Sequence, residues 1–199
     1  WTEGVAKAEE ENSGALAIIL KQKDPFVYDW LPLDRVSKDS DLQNLAPTAY
    51  LINLGMVSAN SDLEMRVLDD VGLATPLAAR QPRIEGGRIG HDKQLPGHWK
   101  FADTAVDVEG LLGNDDDKRK VREARAALRT PDIAELLATS REPMSAERFM
   151  ANMKFALTKG RTLEIASDPA VYLDEETKAR IERGEDVGLS GQRVAWPAD

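Results

Sequence analysis

The chain has 199 residues, 26 of them basic and 35 acidic, for a formal net charge of −9; 42% are hydrophobic and none is cysteine. Globular chains average about 45–50% apolar and about 25% charged residues, so the composition is that of a folded chain, while the missing cysteine excludes disulfide frameworks, thiolate metal centres and thiol nucleophiles. The negative field repels phosphate, so nucleic acid is not expected as the main partner, and the longest uncharged apolar block, Ala15 to Leu20, falls far short of the ~20 residues of a membrane span.

Residue 1 is tryptophan, which reads as a removed leader or a start inside a longer product. Residues 2–23 read as a helix broken near Asn12-Ser13-Gly14, with a strand at 15–20 as the alternative. Phe26, Tyr28 and Trp30 alternate with Val27 and Asp29 between Pro25 and Pro32, the pattern of a short edge strand or a packed loop. Pro47 to Leu54 reads as a helix ended by Gly55. Ser61-Asp62-Leu63-Glu64 is a capping box ahead of Met65, Val67, Leu68 and Val71, with a stop at Gly72. These two segments, joined by Met56 to Asn60, predict a helical hairpin. Thr75-Pro76 opens a further turn, to Arg80.

Between Gln81 and Gly113 the sequence changes character. Gly86, Gly87, Gly90, Gly97, Gly110 and Gly113, with Pro82 and Pro96, interrupt any helical period. Trp99-Lys100-Phe101 and Val106-Asp107-Val108 alternate, as in a short strand or ribbon. A segment this long without regular structure is functional, flexible or conceals an element. The second half is plainer. Asn114 caps a helix over 115–129 with a narrow stripe of Val121, Ala124 and Leu128; Thr130-Pro131 restarts helix with Ile133, Leu136 and Leu137 inward. Ser145 caps a third, whose face of Phe149, Met150, Met153, Ala156 and Leu157 is the widest apolar one, ending at Gly160. Thr162 to Ala166 reads as a short strand, and Asp174 caps a last helix to Arg183, stopped by Gly184. Val187, Leu189, Val194 and Trp196 are spaced along the tail.

The architecture expected is mainly α: a helical region with the hairpin over 1–80, a Gly-rich irregular segment with a few short strands over 81–113, and several short helices with an extended tail over 114–199.

His91 and His98, the only histidines, lie near Asp92 and Asp103, and His91, His98 and Asp103 are the candidate metal set; their spacing matches no helical ligand pair, so no metal is expected. Glu85-Gly86-Gly87-Arg88-Ile89-Gly90 has the glycines of a phosphate loop without the strand before or the helix after. Asp103, Asp107, Glu109 and Asp115 to Asp117 are oxygen donors suited to calcium, but Arg119 breaks the ligand series and helix capping accounts for Asp115 to Asp117. Lys118-Arg119-Lys120, Arg122, Arg125 and Arg129 follow those acids in the order that the helix dipole favours, as a solvated face. Gly188-Leu189-Ser190-Gly191 is the nearest approach to a nucleophile elbow and lies in the tail. No catalytic residue and no cofactor is assigned.

Tyr50 to Asn60, followed by Leu63 to Leu73, resembles the helix, glycine, polar turn, helix unit of phage portal and other assembly proteins, though the rest of the chain matches no portal pattern. Phe26, Tyr28, Trp30, Trp99, Phe101 and Trp196 stand on irregular backbone and are the expected interface anchors. The reading is of a non-enzymatic structural or assembly subunit, binding protein partners or copies of itself in a multi-subunit particle, in the cytoplasm or a virion. Two alternatives stand beside it: a small helical enzyme centred on His91, His98 and Asp103, and a ligand-binding domain with 81–113 as its lid.

Overall fold

A computed structural model describes residues 17–19, 21–24, 27–29, 48–50, 54–59, 63, 66–104, 108–110, 114–185 and 187. In chain order the elements are β1 (Ala17–Ile19), β2 (Lys21–Asp24), β3 (Val27–Asp29), β4 (Thr48–Tyr50), α1 (Leu54–Ser58), β5 (Arg66–Leu68), α2 (Pro76–Ala79), α3 (Gly97–Ala102), α4 (Asp115–Ala127), α5 (Pro131–Arg141), α6 (Ala146–Leu157) and α7 (Glu175–Glu182). Short 3₁₀ turns occupy Val108–Gly110, Lys159–Arg161 and Pro169–Tyr172. The fold is mainly α, as composition and periodicity predict.

The longer helices begin where a side chain satisfies their first amides. Asn114 accepts from the Asp117 amide at 2.9 Å while the Asp117 carboxylate accepts from the Asn114 amide at 3.2 Å, a reciprocal cap for α4. Ser145 accepts from the Arg148 amide at the start of α6, and Asp174 from the Thr177 amide at the start of α7. At α5, Pro131 takes the first position, where a missing N–H costs nothing. Gly184 has a φ of 84° just beyond α7, the left-handed stop that a β-carbon disfavours.

These helices close around Trp99 of α3, which has no solvent exposure. One apolar cluster joins it to Tyr50, Leu77 and Ala78, Leu95, Ala124 and Ala127, Ile133, Leu136 and Leu137, Phe155 and Ile165. Tyr172 meets the indole edge-on at 6.3 Å between centroids. The cluster draws on residues from all three of the segments distinguished by composition. Full burial of each large side chain here contributes about 1.5–3 kcal/mol.

The region before residue 70 departs from the expected hairpin. β1, β4 and β5 form a parallel sheet in the order β1-β4-β5, with Ile18 opposite Ala49 and Ala49 opposite Val67. Residues 48–50 and 66–68, expected in helices, are therefore strands, and Gly55 lies within α1 instead of ending a helix. The cause is pairing between segments distant in sequence, which satisfies their amides without an intrahelical ladder. Of the capping box only Leu63 is among the described residues. Residues 17–19 take the strand alternative, whereas 21–24, expected at the end of the helix and the stop after it, form a second strand, β2, which pairs antiparallel with β3, with Gln22 opposite Tyr28; the remainder of the expected 2–23 helix lies outside the described residues.

Inside the Gly-rich segment, Gly97–Ala102 is helix where Trp99-Lys100-Phe101 suggested a strand. Trp99 and Ala102, three apart, both face the core, the helical spacing that a three-residue alternation masks. Residues 162–166 form no strand; Ile165 instead donates its amide to the Arg80 carbonyl at 2.8 Å. The narrow stripe of α4 is buried within the chain and more widely than its apolar residues suggest: Val121, Arg122, Glu123, Ala124, Arg125 and Ala127 are all buried.

Candidate functional site

Four elements converge on Asp103, immediately after α3, which is 2% exposed. Arg66, the first residue of β5, reaches its Oδ2 from Nη2 at 2.9 Å and its carbonyl from Nη1 at 3.1 Å. Arg141, the last residue of α5, donates from Nη2 to Oδ1. The Tyr50 hydroxyl, at the end of β4, donates to Oδ2 at 3.1 Å. One carboxylate thus ties two strands of the sheet to α3 and α5. Burial alone would push the Asp103 carboxyl up, but the Arg141 and Arg66 guanidiniums reverse this and hold it below the usual carboxylate range. Burial, reinforced by the Asp103 charge, holds the Tyr50 phenol protonated far above its ordinary range.

A second carboxylate shapes the turn after β5. Asp69 is fully buried, and its oxygens accept the amides of Val71, Gly72, Leu73, Ala74 and Thr75 at 2.6–3.1 Å. Burial raises its pKa, and this set of amides, those of Leu73 and Ala74 foremost, brings it below the ordinary value. The turn needs Gly72, whose φ is 91° and whose missing β-carbon would stand 2.5 Å from the Ala79 backbone. The neighbouring Asp70 accepts from Lys100 Nζ at 2.6 Å, fastening the turn to α3.

At the other side of α3, the Ser167 carbonyl accepts from Trp99 Nε1 at 3.2 Å and lies 2.7 Å from His98 Nε2. Burial lowers the His98 pKa, so its imidazole is neutral at pH 7.

The three candidate metal ligands are not brought together: His91 is exposed, His98 faces the Ser167 carbonyl, and Asp103 is occupied by two guanidiniums and a phenol. Among the described residues no group of three or more histidines and acids is arranged to hold a metal ion. Of the oxygen donors weighed for calcium, Asp117 serves as a cap and Glu109 pairs with Arg122, while Asp107 lies outside the described residues. The glycines at 86, 87 and 90 stand in an exposed loop closed at its base by the Ile84 amide on the Asp92 carbonyl. Of the expected anchors, Trp99 is wholly buried and Phe101 is half-buried against Val108 and Val121. Tyr28 lies in β3, while Phe26, Trp30 and Trp196 lie outside the described residues. Sequence reasoning missed Arg66, Arg141, Tyr50 and Asp69; only Asp69 carried a local signal, an aspartate three residues before Gly72 where side chain-to-amide turns form.

Fold and site together define a mainly α domain in which buried ion pairs and an amide-saturated carboxylate hold elements in place. The model of the AftB family C-terminal domain matches residues 1–175, and the chain belongs to that family. It is 48% identical over 188 residues to the terminal β-(1→2)-arabinofuranosyltransferase of Corynebacterium glutamicum, a match covering 91% of this chain and 26% of that protein. It is 36% identical over 109 residues to the enzyme of the same name from Mycobacterium tuberculosis, covering 52% of this chain and 17% of that protein. The chain thus spans about a quarter of the length of the first of these relatives. No solved structure matches.

The family overturns the expected structural or assembly subunit, because its named members are sugar transferases. The protein partners inferred for a particle fall with it, and so does a cytoplasmic or virion location. The portal-like resemblance fails on structure as well, since strands stand at 48–50 and 66–68.

Proposed function

We propose that the chain is a domain of a transferase that adds terminal β-(1→2)-arabinofuranosyl residues to a glycan of the bacterial cell envelope. The observation that carries this reading is the 48% identity to the C. glutamicum enzyme, sustained over 91% of the chain. Glycosyl transfer breaks the bond between the donor sugar's anomeric carbon and its leaving group and forms one to the acceptor hydroxyl, whose proton needs a free base. The buried carboxylates of the described residues are already engaged: Asp103 by Arg66 and Arg141, Asp69 by backbone amides, Glu123 by Arg119. Asp103, Asp69 and Glu123 are therefore structural in this reading, and the base is another residue of the full polypeptide.

The test is complementation of a C. glutamicum strain lacking its own enzyme with the full polypeptide that carries this sequence, followed by linkage analysis of the wall glycan. Return of terminal β-(1→2)-arabinofuranose is expected. Its absence, with the protein present at normal level, refutes the proposal.

A further inference from the structure

Helix α6 turns only one apolar side chain, Phe155, into the core. Its buried residues are Arg148 and Phe155, and Arg148 is held by Glu135, Glu142 and Asn152. On the opposite side Phe149, Met150, Met153 and Leu157 are 53, 64, 44 and 67% exposed, and Met144 just before the helix is 67% exposed. At 3.6 residues per turn those four helical residues share an arc of roughly 100°, the width of stripe that a helix ordinarily turns to its core. Single exposed apolar residues are commonplace, but a contiguous face marks a contact surface. Phenylalanine and methionine are the residue types enriched in such surfaces, methionine for its adaptable shape.

Two observations bear on what covers it. The relatives extend far beyond the matched region, which is 26% of one and 17% of the other. The rim of the face carries Glu147 beside Lys154 on a chain of net charge −9, and so lacks the basic polar face of a helix that lies on lipid. We propose that the α6 face docks on the part of the same transferase polypeptide that lies outside the matched region. This rests on reading the chain as one domain of a longer transferase.

The test places a photo-reactive group at the centre of the face, Phe149→p-benzoylphenylalanine, in the full polypeptide, with the same group at exposed Val171 as the control. After irradiation, mass spectrometry is expected to map the residue 149 adduct to polypeptide outside these 199 residues, with no such adduct from position 171. An adduct to lipid, a species of doubled mass joining two copies, an adduct within the 199 residues, or no adduct above the control would each overturn the proposal. Arabinofuranosyl transfer is measured separately on the unsubstituted protein. Loss there removes the proposed function while the mapped cross-link still decides the docking.

Discussion

Replacing Asp103 by asparagine keeps the side-chain volume and removes the charge. Arg66 and Arg141, with side chains only 10 and 12% exposed, are then left against an uncharged amide. Removing one member of a buried ion pair costs about 3–5 kcal/mol, because the remaining charge is neither hydrated nor compensated. For a chain of this size, at about 2–4 °C per kcal/mol, Asp103→Asn should lower the melting temperature by roughly 6–20 °C. Thermal unfolding followed by circular dichroism measures it. A companion variant carrying Asp103→Leu, Arg66→Met, Arg141→Met and Tyr50→Phe replaces the whole cluster with apolar groups, and most of the lost stability should return. A drop below about 2 °C for Asp103→Asn, on the same scale, or a companion no more stable than the single variant, would refute the account of Asp103 as the charge that holds four elements together.

Acid titration follows from the same groups. The Asp103 and Asp69 carboxyls lie below their ordinary value of about 3.9 in the folded chain, so the unfolded chain takes up protons first as pH falls. Their contribution is complete above about pH 4 and is lost as pH drops through the folded values; melting temperature should fall below pH 4, less steeply in Asp103→Asn. Two glycines separate strain from collision. Gly72→Ala puts a β-carbon 2.5 Å from the Ala79 backbone and should cost at least about 2 kcal/mol in urea unfolding, whereas Gly86→Ala, at a φ of 71° in open space, should cost only about 1–2; equal losses would count against the close approach. Asn114→Ala removes one half of the α4 cap and should cost about 0.5–2 kcal/mol, read by the same unfolding midpoint; no change would remove the cap from the account of α4.

Where sequence spoke clearly, its signals were local. Asn114, Ser145 and Asp174 each lie within three residues of the amide they cap, and Pro131 fixes its own backbone angle, so α4 to α7 are readable along the chain. The sheet is not, because β4 and β5 are three residues long and earn their pairing from strands far along the chain. The apolar face of α6 was legible as a face, but periodicity does not say which way a face points, and the ion pairs of Arg148 turn it outward. Asp103 stood out as a polar residue beside histidines, yet its real partners lie 37, 38 and 53 positions away. Function was least legible: among the described residues no group of three or more histidines and acids is arranged to hold a metal ion, and Asp103 is taken up by ion pairs.

The Asp69 turn is a receptor that carries its own ligand. Backbone amides converging on one point are the arrangement by which other loops capture a free phosphate or sulfate. Here the captive group is anchored through its own side chain, so its local concentration is set by covalent geometry and not by the medium. The corner that joins β5 to α2 is therefore indifferent to the anions dissolved around it. Only the proton competes there: the ligand can be neutralised, but it cannot be diluted away.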